Sequence, residues 1–214
     1  MEIIAETKNI RIGQLDVGGS MWANAYLVTC IKTGQSALID APGKADLVLE
    51  QIREKNLNYV LMTHNHQDHT GSLAKLKSTL RMPVYGHADD ASGYPVRLDK
   101  ELIDSDIMAL GNLEVCAFHT PGHTNGGLCF LIGNFLFSGD TLFPGGPGYT
   151  TSPHNFQQII KSIAGKIFSL PNDTIVYPGH GTSTVLGKEK DQFKTFSSRQ
   201  HSPELCGDIL WLKS

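Results

Sequence analysis

The stretch Thr63-His64-Asn65-His66-Gln67-Asp68-His69-Thr70-Gly71 decides how the rest of the chain is read. An apolar run, residues 57–62, ends where it begins, and its length and composition predict a buried strand. Behind it, residues 72–80 carry Leu73, Leu76 and Leu80 at spacings of three and four, which predicts a helix that Pro83 follows as a stop. The histidine-rich run is therefore the loop between a strand and a helix. In an extended His64-x-His66 both side chains lie on one face, whereas Asp68 and His69 come after a turn and point elsewhere. Packing gives no reason to concentrate three imidazoles and a carboxylate in one loop. A metal does: this donor set suits Zn²⁺, and it also suits Fe or Mn.

Three further candidate ligands stand alone, each after an apolar stretch and beside glycine: His123 in Pro121-Gly122-His123, Asp140 in Gly139-Asp140, and His180 in Pro178-Gly179-His180-Gly181. The set His64, His66, Asp68, His69, His123, Asp140 and His180 is too large for one tetrahedral ion, so the count points to two.

Working outward, residues 10–15 alternate, 24–30 are apolar and β-branched, and 36–39 run into Asp40. Gly18-Gly19 and Gly34 punctuate these as turns. After the break Ala41-Pro42-Gly43, residues 45–55 read as a helix with Leu47, Val48 and Ile52 on one side, and Val84-Tyr85-Gly86 resembles another strand. In the second half, residues 113–118 predict a strand, and Gly133-Asn134 between 128–132 and 135–137 predicts a hairpin. Ser152-Pro153 opens a helix as cap and first residue, with Phe156, Ile159, Ile160, Ile163 and Ile167 as its apolar face. A last strand, 174–177, leads to His180. Both halves hold strands and helices. Two sheets face to face between helical layers, a four-layer αββα sandwich of α/β class, satisfy this pattern, and the 214 residues fit a single domain over 1–214.

Composition narrows the function. The formal net charge is −3 and the lysines are scattered, which gives no footprint for nucleic acid or an anionic membrane surface. No run approaches the roughly 18 apolar residues of a membrane span, and the first residues do not read as a signal peptide. Cys30, Cys116, Cys129 and Cys206 form no Cys-x-x-Cys pair and read as reduced thiols, so a cytoplasmic location is expected. The apolar segment 205–212 has two outlets: packing back on the core, or pairing with a second subunit as a homo-oligomer.

With Thr120-Pro121-Gly122-His123-Thr124, Ser138-Gly139-Asp140-Thr141-Leu142-Phe143 and Tyr177-Pro178-Gly179-His180-Gly181 following the first run in order, the chain resembles the metallo-β-lactamase-fold superfamily, and within it the glyoxalase II-like hydrolases. The resemblance spans roughly residues 10–185. It implies that His64, His66 and His123 hold one metal, that Asp68, His69 and His180 hold the second, and that Asp140 bridges them, with two Zn²⁺ per chain (Fe or Mn as substitutes). Asp40, at a strand end, matches a family aspartate that orients a ligand. His119, His87, His154 and His201 fall outside the ligand set, and His119 is expected to have a supporting role.

The implied chemistry is hydrolysis of an ester-like bond in a small-molecule substrate, thioester first and lactone next, by a hydroxide shared between the metals. Asp68 is the expected catalytic carboxylate, accepting a hydrogen bond from the nucleophile. Two departures bear on the substrate. Only 34 residues follow His180, fewer than the helical glutathione-gripping domain of glyoxalase II requires. The glycine-rich loop after Asp140 has Tyr149 where related short enzymes place a basic residue. Phe143 and Tyr149 in that loop are the expected substrate contacts.

Other chemistries of the fold compete. A persulfide dioxygenase would use one iron on His64, His123 and Asp140. A true β-lactamase usually lacks the aspartate found here at 140. A nuclease would need a basic surface, and flavodiiron proteins carry glutamate where this chain has His66.

Overall fold

Alternate residues of a strand face opposite sides of its sheet, and along these strands both sides are apolar. A computed structural model describes all residues, Met1–Ser214. Its first sheet holds β1 (Glu2–Glu6), β2 (Ile10–Gln14), β3 (Tyr26–Cys30), β4 (Gln35–Ile39), β5 (Asn56–Leu61), β6 (Val84–Gly86) and β7 (Lys100–Glu101), in that order. Its second holds β8 (Ile107–Leu110), β9 (Leu113–His119), β10 (Leu128–Ile132), β11 (Phe135–Gly139), β14 (Ile175–Pro178) and β15 (Thr184–Val185), ordered β15-β14-β11-β10-β9-β8. Between β11 and β14 in sequence, β12 (Leu142–Phe143) and β13 (Gly146–Pro147) make a small separate hairpin. The helices are α1 (Ala45–Ile52), α2 (Gln67–Thr70), α3 (Leu73–Leu80), α4 (Pro153–Gly165) and α5 (Leu186–Ser197).

Tyr26, Val28, Ala37, Ile39, Tyr59 and Leu61 of the first sheet meet Val115, Ala117, Phe130, Phe135 and Phe137 of the second in one inter-sheet core. The intervening residues face outward. Leu27, Leu38 and Val60 pack with Val48 and Ile52 of α1 and Leu73 and Leu76 of α3. Cys129, Leu136 and Val176 pack with Phe156, Ile159 and Ile163 of α4, Phe196 of α5, and Ile209 and Trp211 from the C-terminal segment. Three apolar layers between four layers of structure make the expected αββα sandwich.

Several boundaries differ from the sequence reading, each for a visible reason. The strand expected from residue 24 starts at Tyr26, because the Asn24 amide N–H donates across to Gly179 O at 2.7 Å instead of joining the ladder. The helix expected over 45–55 ends at Ile52, where Lys55 N turns back to Ile52 O. In α4 the helix stops at Gly165, so Ile167 reaches the core from a short 3-10 turn, Ile167–Ser169, and Ile160 is only half-buried. Strand β1 is a half-exposed edge, and α5 is mostly polar; neither shows an apolar periodicity strong enough to read beforehand.

Pairing positions the site. β4 and β5 are parallel, and so are β11 and β14. Parallel neighbours bring their carboxyl ends to one edge, where such sheets commonly carry their sites. Asp40 follows β4, His64 follows β5, Asp140 follows β11 and His180 follows β14 soon after its end.

Candidate metal centre

All seven expected ligands converge at that edge. His66 Nδ1 lies 3.1 Å from His64 Nε2 and 3.0 Å from His123 Nε2. Three imidazole nitrogens bound tetrahedrally at the usual Zn–N distance would stand roughly 3.3 Å apart, so this group is close to ready for a cation. A second group forms beside it: His180 Nε2 is 3.0 Å from Asp68 Oδ2, and His69 Nε2 is 3.9 Å from the same oxygen. Asp140 stands between the two. Its Oδ2 is 3.6 Å from His123 Nε2 and 3.7 Å from His180 Nε2, and its Oδ1 is 3.3 Å from His69 Nε2.

Two atoms here test whether a cation fits. His69 Nε2 and Asp140 Oδ1 are buried and have no hydrogen-bond partner. Orphaned buried polar atoms are costly and rare, and a metal ion is the partner that an imidazole nitrogen and a carboxylate oxygen share. The donor set therefore fits a metal.

The hydrogen bonds behind these donors set which nitrogen carries the lone pair. Asp40 is buried, with φ 58°, a left-handed conformation that aspartate tolerates better than most residues. Its Oδ1 accepts from Thr63 N at 2.8 Å. Its Oδ2 accepts from Thr63 Oγ1 at 2.7 Å and from His69 Nδ1 at 2.8 Å. With its own proton given to Asp40, Thr63 Oγ1 accepts from His64 Nδ1 at 3.1 Å. One carboxylate thus fixes two rings, His69 directly and His64 through Thr63, with both Nε2 lone pairs turned inward, as ligand-orienting groups do. His123 Nδ1 donates to Tyr149 O at 2.8 Å, leaving its Nε2 free as well.

Charge follows the same design. Burial first, then the neighbouring imidazoles, holds His64 well below the ordinary histidine value. His66 is lowered by burial and then by His123, so both rings stay neutral and able to donate lone pairs. For His69 burial opposes the charged ring, but Asp40 and Asp140 outweigh it and raise the value to about 10. Burial pushes Asp140 up, yet His69 outweighs it and keeps the carboxyl below its usual range.

The loops are held by residues that the sequence reading did not single out. Asn24 Nδ2 donates to Pro178 O at 3.0 Å and Gly181 O at 3.1 Å, and Tyr26 Oη donates to Pro178 O at 2.8 Å, fixing the His180 loop. Ala23 N donates to Asp68 O at 3.2 Å. Buried Asp90 holds the loop after His123 by accepting from Thr124 Oγ1 at 2.8 Å and Gly126 N at 2.9 Å. None of these residues carries a local sequence signal, because their partners lie far away in the chain. Gly179 is required sterically: a Cβ there would collide with Asp140 Oδ1 and the His69 ring.

The other residues named from the sequence lie as follows. His119 stays outside the cluster, stacking on His87 at 3.9 Å and bonding Asn125 O through Nε2 at 2.9 Å, a support for the loop that carries His123. His201 stacks on Phe196, away from the site. Phe143 and Tyr149 line a cleft that opens on His123 and Asp140, and Phe143 lies parallel to His180 with ring centroids 6.5 Å apart. All four cysteines are free thiols. No helix is long and apolar enough to cross a membrane.

An αββα sandwich with imidazole and carboxylate donors gathered at one edge defines a class, the metal-binding enzymes built on this fold. The family model for the metallo-beta-lactamase superfamily matches residues 23–180, and the chain belongs to that superfamily. It is similar to a probable hydroxyacylglutathione hydrolase of Schizosaccharomyces pombe, 34% identical over 193 residues that cover 85% of this chain and 73% of the relative. The solved structure of the B3 metallo-beta-lactamase BLEG-1 superposes with a TM-score of 0.74 at 28% identity, covering 84% of this chain and 96% of the other. That of ETHE1 from Myxococcus xanthus gives 0.72 at 30% identity, covering 84% and 81%.

Proposed function

We propose that the chain, as one unit over residues 1–214, is a dinuclear metallohydrolase acting on a thioester or other ester-like bond of a small molecule, in the manner of the glyoxalase II-like enzymes. The observation that carries this reading is Asp140, whose Oδ2 lies 3.6 Å from one donor group at His123 and 3.7 Å from the other at His180. A carboxylate so placed would serve two cations at once. His64, His66 and His123 would hold one Zn²⁺, and Asp68, His69 and His180 the other.

When bound, such a pair supplies Lewis acidity and lowers the pKa of a water to about 7. The protein does the rest. Asp40 and Thr63 hold two imidazoles in the tautomer that donates inward. Asp68 is the most exposed carboxylate of the cluster, its side chain 37% accessible, and is placed to accept a hydrogen bond from the attacking water and fix its lone pair. Phe143 and Tyr149 form the wall against which the substrate lies. No serine or cysteine nucleophile enters; buried Cys129 is pushed up to about 11 by burial and stays a thiol.

The test is metal content measured with activity on a small panel of thioesters, lactones and persulfides. Two ions per chain with thioester turnover are expected. One iron per chain with oxygen uptake on a persulfide would overturn the reading in favour of a mononuclear dioxygenase, and lactone turnover alone would move it to a lactonase.

A further inference from the structure

The cleft beside the cluster has a second wall that comes from the end of the chain. It encloses about 310 Å³, at the lower end of the range for small-molecule sites. His123 and Asp140 belong to its lining. Phe143, Pro147 and Tyr149 line the side formed by the glycine-rich loop, and Asp208, Ile209 and Leu210 the side formed by the C-terminal segment. The second side is firmly seated. Thr150 N donates to Gly207 O at 3.3 Å and Gly207 N donates back to Thr150 O at 2.9 Å, while Trp211 N donates to Gly145 O at 2.8 Å. The Gly145 peptide is gripped from its other end too, its N–H donating to Glu189 Oε2 at 2.7 Å. Glu189 is fully buried and accepts from Thr184 Oγ1 through its other oxygen at 2.7 Å. Trp211 is buried behind this wall. The C-terminal wall is therefore tied to the glycine-rich loop at three backbone bonds.

Its chemistry is uneven. Beyond the ligands His123 and Asp140, Asp208 is the single charged residue on the lining; no lysine or arginine is present. The Asp208 side chain is exposed and makes no ion pair or hydrogen bond within the protein. Tyr149 and Leu210, 50% and 43% accessible, leave apolar surface at the mouth. An apolar channel with one unpaired carboxylate attracts a cationic group on an apolar body, tolerates a neutral one, and repels an anion.

We propose that this cleft is the leaving-group subsite, and that Asp208 selects thiol or alcohol portions that are cationic or neutral with an apolar body, against anionic ones. The proposal rests on the hydrolase reading for its reaction but not for its binding preference. The metal centre attracts anions whatever the lining, so the informative quantity is the cation-to-anion ratio within one enzyme and its change on substitution.

Three acetyl thioesters form the probe set: acetylthiocholine (cationic), its isostere S-(3,3-dimethylbutyl) thioacetate (neutral), and 3-(acetylthio)propanoate (anionic). Rates are measured on the metal-loaded full chain, and binding of the three free thiols is measured in parallel by calorimetry. The expected wild-type kcat/KM favours the cationic over the anionic ester by about tenfold or more. Asp208→Asn narrows that ratio several-fold and Asp208→Lys reverses it. Because Asp208 is exposed, thermal melts of both variants should match the wild type and rule out misfolding. A wild type that prefers the anionic ester, or a ratio that Asp208→Lys leaves unmoved, overturns the subsite. If no thioester turns over but the thiols still bind in the cationic-first order and respond to Asp208→Lys, the hydrolase reading fails and the subsite stands. If turnover occurs with no dependence on charge, the reverse holds.

Discussion

Replacing Asp40 with asparagine tests how the metal site is organised. The substitution keeps the size of the side chain, and asparagine accepts the left-handed backbone at φ 58°. What changes is polarity. Oδ1 accepts one hydrogen bond and Oδ2 accepts two. If the new NH₂ takes the place of Oδ2, it faces His69 Nδ1, and the ring must turn its lone pair outward and carry its proton on Nε2, the atom facing Asp68 and Asp140. If the amide flips, NH₂ opposes the buried Thr63 N–H and leaves it unsatisfied, at a cost of about 1–3 kcal/mol. The first arrangement takes a ligand from one cation; the second keeps the His69 lone pair turned inward and destabilises the fold instead. Loss of an orienting partner of this kind typically costs 10–100-fold in metal affinity, about 1.4–2.8 kcal/mol. The metal-free protein also loses the charge-assisted bond from His69, worth about 1.5–3 kcal/mol. Chelator competition on wild type and Asp40→Asn should show one ion per chain weakened by that factor, with a lower melting temperature for the metal-free variant. Wild-type affinity for both ions together with an unchanged melt would refute the network.

Asp140→Ala should strip metal and abolish hydrolysis, since it removes the one side chain common to both donor groups; metal analysis after gel filtration, alongside rates, checks it. Asp68→Asn should lower turnover far more than stability, because the structural tie at this residue is its backbone carbonyl to Ala23 N, which the substitution spares; steady-state rates and melts side by side decide. Metal loading near pH 7–8 should release a proton from His69, whose value of about 10 keeps it charged without metal, whereas the lowered His64 and His66 are already neutral and release none. The sign is release, so apparent affinity rises with pH through this range, and calorimetry in buffers of different ionisation enthalpy reads it.

Much of this site was legible in the chain itself. Three imidazoles and a carboxylate between a buried strand and a helix have no packing explanation, and their side-chain chemistry by itself points to metal. Continuous apolar runs on either side of Gly133-Asn134 mark β10 and β11 as a hairpin, and the cap and first-residue pair Ser152-Pro153 marks α4, where Ser152 Oγ accepts from Asn155 N at 3.2 Å. These signals are local: they depend on residues a few positions apart.

What the tertiary structure decided is everything set by pairing across long sequence separations. The parallel pairing of β4 with β5 and of β11 with β14 carries Asp40, His64, Asp140 and His180 to one edge. The reach of Asn24 to Pro178 and Gly181, the grip of Asp90 on the loop after His123, and the single carboxylate that sets two histidine tautomers have no periodicity to betray them. The fate of the C-terminal segment was open between two outlets, and its docking on Gly145 and Thr150 brought Asp208 to the cleft. Residue chemistry is written in the sequence because it belongs to each side chain alone; the distance between two side chains is not, because it is set by how the whole chain buries its apolar faces.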